Sequence, residues 1–292
     1  MSRPAAPPAV LVVSSHVVRG AVGGRAAFAL ERLGFRLWSM PTVLLPWHPG
    51  HGRAHRIVAP PDDFSAFVDD IAASPRLGEI GAVLTGYLGA ATQAEPVARL
   101  IRAVKAANPA AIHLADPVVG DEGGLYVGAD IAAAQRETLM PLADIATPNR
   151  FELAHLTGMT TDTMPALVSA ARALGPATML VTSAPALMRG KIGVALVGPG
   201  AVLTAENPLV PGAPSGTGDL FAALFLARRL WGQSDAEALS GAVAATYETV
   251  ARSVAAGADE LELAAEQAVL ERPSAPVDVR TFAEPRRPAR RT

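Results

Sequence analysis

A glycine-rich loop that runs straight into an apolar helix is the feature that most limits how this chain can fold. Pro211–Gly218 reads PGAPSGTG, a run of helix breakers and small residues. From Asp219 onward, Leu220, Phe221, Leu224, Phe225 and Leu230 recur at helical spacing over a wide face, as in a helix packed on a sheet. Gly216-Thr217-Gly218 therefore stands at the start of a buried helix. Backbone N–H groups there can approach an anion closely, and the helix start adds partial positive charge. Asp219 follows at once and has two readings. One is a carboxylate that complements the helix dipole. The other is a base beside an anion-binding loop, taking a proton from an alcohol while the N–H groups hold a phosphoryl group.

A helix of this kind needs a sheet, and the rest of the chain supplies one. Ala9–Ser14 is a short β-branched run, followed by the loop Ser14–Gly20 and a helical pattern over Arg25–Leu33 that Gly34 stops. Strands are expected at Phe35–Val43, Ala82–Thr85, Ala111–Ala115, Asp144–Thr147 and Thr178–Thr182, with an antiparallel pair at Ile192–Val197 and Ala201–Thr204. Helices are expected at Asp62–Ala73, Gln93–Ala107, Asp130–Leu139, Phe151–Leu156, Pro165–Leu174, Asp235–Ala255 and Asp259–Leu270. Leu44–Ala59 reads as a loop. This alternation predicts one α/β domain of three layers, α/β/α, with a mostly parallel central sheet over residues 9–272. Residues 1–8 are expected to be flexible, and the Pro/Arg-rich 273–292 segment partly disordered. No glycine fingerprint of a dinucleotide site or Walker loop follows the first strand.

Several strands finish in polar or aromatic residues: Ser15, Thr42, Tyr87, Asp116, Asn149 and Thr182. In an open parallel sheet such ends converge on one edge, where ligands bind. Asn149-x-x-Glu152 has the spacing of a capping box, which accounts for it without function, although a capping Glu can also face a metal-bound water. Asp116, Glu152 and Asp219 together offer hard oxygen atoms near a phosphate-cradling loop, a set that suits Mg²⁺. His48, His51 and His55 lie in a Pro/Gly loop whose breakers prevent a shared helical face, so a surface or lid loop is favoured there over a metal site.

Composition closes off other classes. Half the residues are hydrophobic, which supports a large core, and the net charge of −2 speaks against nucleic acid as a partner. The absence of cysteine excludes disulfides and thiolate chemistry. No run reaches membrane-spanning length and no signal pattern opens the chain, so a soluble cytoplasmic protein is expected.

The motifs Ser15-His16-Val17-Val18-x-Gly20, Thr85-Gly86-Tyr87-Leu88-Gly89, Asp116-Pro117-Val118-x-Gly120, Thr147-Pro148-Asn149-x-x-Glu152-Leu153 and Gly216-Thr217-Gly218-Asp219 occur in one order. With Leu33-Gly34 and Val104-Lys105-x-x-Asn108-Pro109, they make the chain resemble the pyridoxal kinases of the ribokinase-like superfamily from about Val10 to Leu270. The resemblance implies ATP-dependent phosphorylation of the 5′-hydroxymethyl group of vitamin B6 by a homodimer, with Mg²⁺, and leaves open a monovalent cation such as K⁺. By position, Ser15 would bond the pyridine ring, Val18, His48 and Tyr87 would wall it, and Thr42 would contact its substituents. Asp116, Asn149 and Glu152 would organise Mg²⁺ and the phosphates, with Asp116 and Glu152 acting on the metal through water. Thr182 and Ser183 would lie along ATP. Asp219 would be the base, and Gly216, Thr217 and Gly218 the anion hole. Trp47-His48-Pro49-Gly50-His51-Gly52 and Ser183-Ala184-Pro185 depart from the family's usual residues. A hydroxymethylpyrimidine kinase of the same fold and a non-catalytic vitamer-binding protein are the alternative readings.

Overall fold

Strand residues alternate between two apolar faces, and that alternation builds the molecule. In the first strand Val10 and Val12 point to one core, while Ala9, Leu11 and Val13 point to another. The structure is a computed structural model and describes residues 7–283. Residues 1–6 and the arginines of 286–291 lie outside the described residues.

β1 (Ala9–Arg19) and β2 (Arg36–Trp47) flank α1 (Ala27–Arg32). α2 (Pro61–Ala72) leads to β3 (Ile80–Thr85), and α3 (Ala94–Ala107) to β4 (Ile112–Ala115). A small hairpin, β5 (Gly120–Asp121) and β6 (Gly124–Leu125), precedes α4 (Ala129–Ala134) and β7 (Ile145–Ala146). α5 (Arg150–Thr157) and α6 (Met164–Leu174) lead to β8 (Thr178–Ala184), β9 (Lys191–Val197) and β10 (Val202–Pro208). The chain then forms α7 (Thr217–Leu230), α8 (Asp235–Ala255), α9 (Gln267–Glu271) and β11 (Val279–Thr281). The nine-stranded sheet has the order β11-β10-β9-β8-β7-β4-β3-β1-β2. The six strands from β2 to β8 run parallel, and β9, β10 and β11 pair antiparallel. One face is covered by α1, α7 and α8, the other by α2, α3, α5 and α6. α7 is buried nearly all round: Leu220 through Ala227 are each 3% exposed or less.

Four elements differ from the expectation. β1 passes Ser14 through a bulge and continues to Arg19. β2 runs on to Trp47 through residues expected in a loop, and it tolerates Pro41 and Pro46 because it is an edge strand. The helix expected over Asp259–Leu270 is limited to Gln267–Glu271. Leu261 and Leu263 are buried while Glu262 between them is exposed, and Leu263 N–H folds back onto the Leu261 carbonyl at 2.8 Å, so this stretch turns instead of winding into a helix. β11 also carries the sheet past residue 272, because Val279–Thr281 pair with Leu203–Ala205.

Candidate active site

The carboxyl ends of β1, β3, β4 and β7 meet at one sheet edge, and the ladder continues into their loops. Gly86 N–H donates to the Val13 carbonyl at 2.8 Å, Asp116 N–H to the Thr85 carbonyl at 2.8 Å, and Thr147 N–H to the Ala115 carbonyl at 3.0 Å. Asn149 bridges Thr182 beyond the named strands. Ser15, Tyr87, Asp116 and Asn149 therefore share the edge that the sequence assigns to them. Ser15 stands at the β1 bulge, a device that re-aims a side chain beside a site. Its Oγ faces Gly23, where an ideal Cβ would lie 2.1 Å away, so that position admits only glycine.

The three carboxylates converge on this edge. Asp116 is 6% exposed and Glu152 is 3% exposed. Burial raises the Asp116 carboxyl well above its usual range, and the Asp219 and Glu152 charges raise it further, against a 3.1 Å bond from the Thr147 hydroxyl. Glu152 brackets two loops. Its Oε1 accepts Val119 N–H at 2.8 Å and Gly120 N–H at 3.4 Å, and its Oε2 accepts Asn149 N–H at 2.8 Å. Asn149 Oδ1 accepts Glu152 N–H at 2.8 Å, so the capping box is formed. Burial outweighs these donors and pushes Glu152 up to about 7. Asp219 is half-buried in the first turn of α7, and burial pushes it up to about 6 against backbone hydrogen bonds from Gly23 and its own N–H. Among the described residues, the two non-glycine residues with left-handed backbone, Val118 at φ 43° and Ser183 at φ 54°, both flank this edge.

These raised values carry a stability consequence. Between an unfolded value near 4 and folded values of about 6 to 7, the folded chain holds protons that the unfolded chain has released. The ligand-free protein is therefore expected to lose stability as pH rises from about 4.5 to 7.5. Thermal melts of the native chain and of Asp116→Asn test this. The variant's Tm should fall less steeply with pH, and equal slopes would overturn the coupling of the three groups.

The anion loop is held from behind. Gly216 adopts φ 92°, and an ideal Cβ there would stand 2.5 Å from the Ala21 carbonyl. At Gly218 nothing lies within 4 Å of an ideal Cβ, so the start of α7 faces open space. That space belongs to a cavity of about 150 Å³ lined by Thr182, Ser183, Thr217 and Gly218, with Phe221 and Val243 forming part of its apolar wall.

The expected acceptor residues are less closely gathered. Thr42 is buried and its hydroxyl donates to the Tyr87 carbonyl at 2.6 Å, fixing the β3 loop. Tyr87 N–H donates to Ser14 Oγ at 3.1 Å. Val18 is 68% exposed. His48 Nδ1 accepts Gly50 N–H at 3.1 Å, and burial lowers its pKa. Among the described residues no three His, Asp or Glu side chains form a group able to hold an ion alone.

Sequence reasoning missed the brackets behind these residues. Gln93 is 1% exposed, accepts Gly89 N–H at 2.9 Å and donates to the Thr42 carbonyl at 2.7 Å. Gly23, Thr147, Val119 and Gly120 also escaped notice as supports. Thr147 and Gly120 were visible only as members of motifs, and nothing in their spacing names their partners.

Comparison with known proteins follows the same lines. A family model described as phosphomethylpyrimidine kinase matches residues 62–263. The chain is 38% identical over 283 residues to pyridoxal kinase PdxY of Rubrobacter xylanophilus, covering 94% of this chain and 97% of that relative. It is 39% identical over 263 residues to the pyridoxine/pyridoxal/pyridoxamine kinase of Bordetella bronchiseptica, covering 87% and 93%. A solved pyridoxal kinase from Leishmania donovani in complex with ADP and pyridoxamine superposes with a TM-score of 0.88 at 26% identity, over 94% of this chain and all of that one.

Proposed function

The chain belongs to the pyridoxal kinases, within the phosphomethylpyrimidine kinase family, and on that premise we propose that it transfers the γ-phosphoryl group of ATP to the 5′-hydroxyl of pyridoxal. Its three-layer α/β/α fold is ribokinase-like. The observation that carries the reading is Asp219, one residue after Gly218, with the open start of α7 on one side and the strand edge on the other.

In the proposed reaction the acceptor hydroxyl lies against Asp219. As the oxygen bonds to the γ-phosphorus, its proton passes to the Asp219 carboxylate and the bond to the ADP oxygen breaks. The N–H groups at Gly216, Thr217 and Gly218 receive the charge that the transferred group carries. Thr182 and Ser183 lie along the nucleotide in the cavity they share with Thr217 and Gly218. Ser15 and Tyr87 face the ring of the acceptor, with Val18, Thr42 and His48 at its margin.

Mg²⁺ fits the residues present. The Asp219 charge raises both Asp116 and Glu152, and the Glu152 charge raises Asp116 further, an electrostatic cost that a divalent cation offsets, and the carboxylate oxygens are hard donors. Asp116 and Glu152 would hold it, through water and with the phosphates of ATP, and Asn149 would steady the same phosphates. The ion would neutralise charge on the phosphates. Added Mg²⁺ is expected to raise Tm more at pH 8 than at pH 6.

A homodimer in the cytoplasm completes the reading. No helix among the described residues is long and apolar enough to cross a membrane. A coupled assay of ATP consumption with pyridoxal, pyridoxine, pyridoxamine and hydroxymethylpyrimidine tests the activity. Consumption with pyridoxal is the expected result. Consumption with hydroxymethylpyrimidine alone would make the chain the sister enzyme, and vitamer binding without consumption would make it a binding protein.

A further inference from the structure

Glu260 lies outside every motif of the site. It sits in the turn after α8, anchored by Leu261 and Leu263, which are 5% and 7% exposed in the core around α1 and α7. Its own side chain is only 14% exposed. Oε2 accepts Ala21 N–H at 3.0 Å, and Oε1 lies 2.9 Å from His51 Nε2. Beside it, Arg19 pairs with Asp259 at 2.7 Å and fastens the end of β1 to the same turn. Gly20 takes φ 143°, and an ideal Cβ there would stand 3.2 Å from Glu260 Oε1, so the β1 loop passes close against this carboxylate.

Both partners of Glu260 lead to the site. Ala21 is two residues from Gly23, whose N–H bonds Asp219, and its carbonyl packs on Gly216. His51 stands edge-on to His48, with ring centroids 6.3 Å apart and planes at 81°. Glu260 also bears electrostatically on His48, against the effect of burial.

We infer that Glu260 is a positioning residue that ties the His48–His51 loop to the loop supporting Asp219, so that one carboxylate sets both the margin of the acceptor pocket and the seat of the base. This rests on the kinase reading of the site. A carboxylate that only braced the fold would change melting temperature without separating the two substrates. A positioning residue changes acceptor KM and turnover and leaves ATP alone, because the anion loop keeps its own backbone donors. Displacing reacting groups by about 1 Å costs on the order of 10²-fold.

The test compares the native chain with Glu260→Ala, Glu260→Gln, His51→Ala and the Glu260→Ala/His51→Ala pair. Glu260→Ala is expected to lower kcat/KM for pyridoxal by roughly 10–100-fold with KM for ATP within about twofold. Glu260→Gln keeps an acceptor for Ala21 N–H and a polar partner for His51, so it should restore most of the loss. His51→Ala should raise KM for pyridoxal alone, and the pair should cost less than the sum of its parts. Amide exchange without substrates should quicken at residues 20–24 and 48–52 in Glu260→Ala. Parallel losses for pyridoxal and ATP, native constants in Glu260→Ala, or unchanged exchange in both loops would each overturn the inference. A native chain that phosphorylates no vitamer would instead overturn the kinase reading, and exchange would still decide whether Glu260 ties the loops.

Discussion

Asp219→Asn is expected to lower kcat with saturating pyridoxal by about 10²–10⁴-fold, the usual contribution of a general base. A primary alcohol is a poor nucleophile while protonated, and phosphoryl transfer asks the protein mainly for positioning and charge stabilisation. Asparagine keeps the shape and can still accept the Gly23 N–H, but it cannot take the proton. ATP binding should change little, since the backbone donors of Gly216–Gly218 remain. With the carboxyl pushed up to about 6 in the ligand-free chain, kcat/KM for pyridoxal should fall as pH drops through that value, because the base becomes protonated. That acid limb should vanish in the variant. The ionised form is the costly one in the folded chain, so Asp219→Asn at pH 8 should melt no lower than the native chain. Steady-state kinetics from pH 5 to 9 and a melt at pH 8 decide the matter. Near-native turnover would leave Asp219 as a dipole partner of α7 and move the base elsewhere.

The two glycines that flank Thr217 should respond in opposite ways. Gly216 has φ 92°, and an added methyl would stand 2.5 Å from the Ala21 carbonyl, a backbone atom that cannot turn aside. Gly216→Ala therefore carries the left-handed penalty of roughly 1–2 kcal/mol plus a clash. A Tm drop of several degrees is expected, with kcat reduced on the order of 10²-fold as the β1 loop and the anion loop are driven apart. Gly218 meets nothing within 4 Å and lies in the first turn of α7. Gly218→Ala should stabilise the helix by about 0.5–1 kcal/mol, so Tm rises. Its methyl nevertheless enters the space beside Thr217 where the phosphates are proposed to lie. We expect kcat/KM for ATP to fall at least about 10-fold, by analogy with lost transition-state donors. Higher stability with unchanged ATP kinetics would remove the anion hole from Gly216–Gly218.

Much of the scaffold was legible in the chain because its causes are local. Short continuous apolar runs such as Ala9–Val13 mark buried strands and period-3.6 runs such as Leu220–Leu230 mark helices, so strand and helix order followed from pattern. The capping box at Asn149 and Glu152 could be read from a three-residue spacing and is formed. Where the reading missed, a distant contact had overridden the local signal. β2 continues through Pro46 because an edge strand needs no N–H on its open side. The segment expected as a helix from Asp259 turns back instead, because Leu261 and Leu263 enter the core and Glu262 N–H bonds Ser253 Oγ at 3.0 Å, a contact to the preceding helix.

The sequence by itself determined the α/β alternation, the glycine loop before a buried helix, and the polar residues that close the strands. Each depends on neighbours within a few positions. Only the tertiary structure decided that Asp116, Glu152 and Asp219 share one electrostatic environment, that Gly23 donates to Asp219, and that Glu260 holds both Ala21 and His51. Those contacts join residues far apart in the chain. The physical reason is that sheet order and register fix where strand ends meet, and no periodicity along one segment encodes which loop another segment will face.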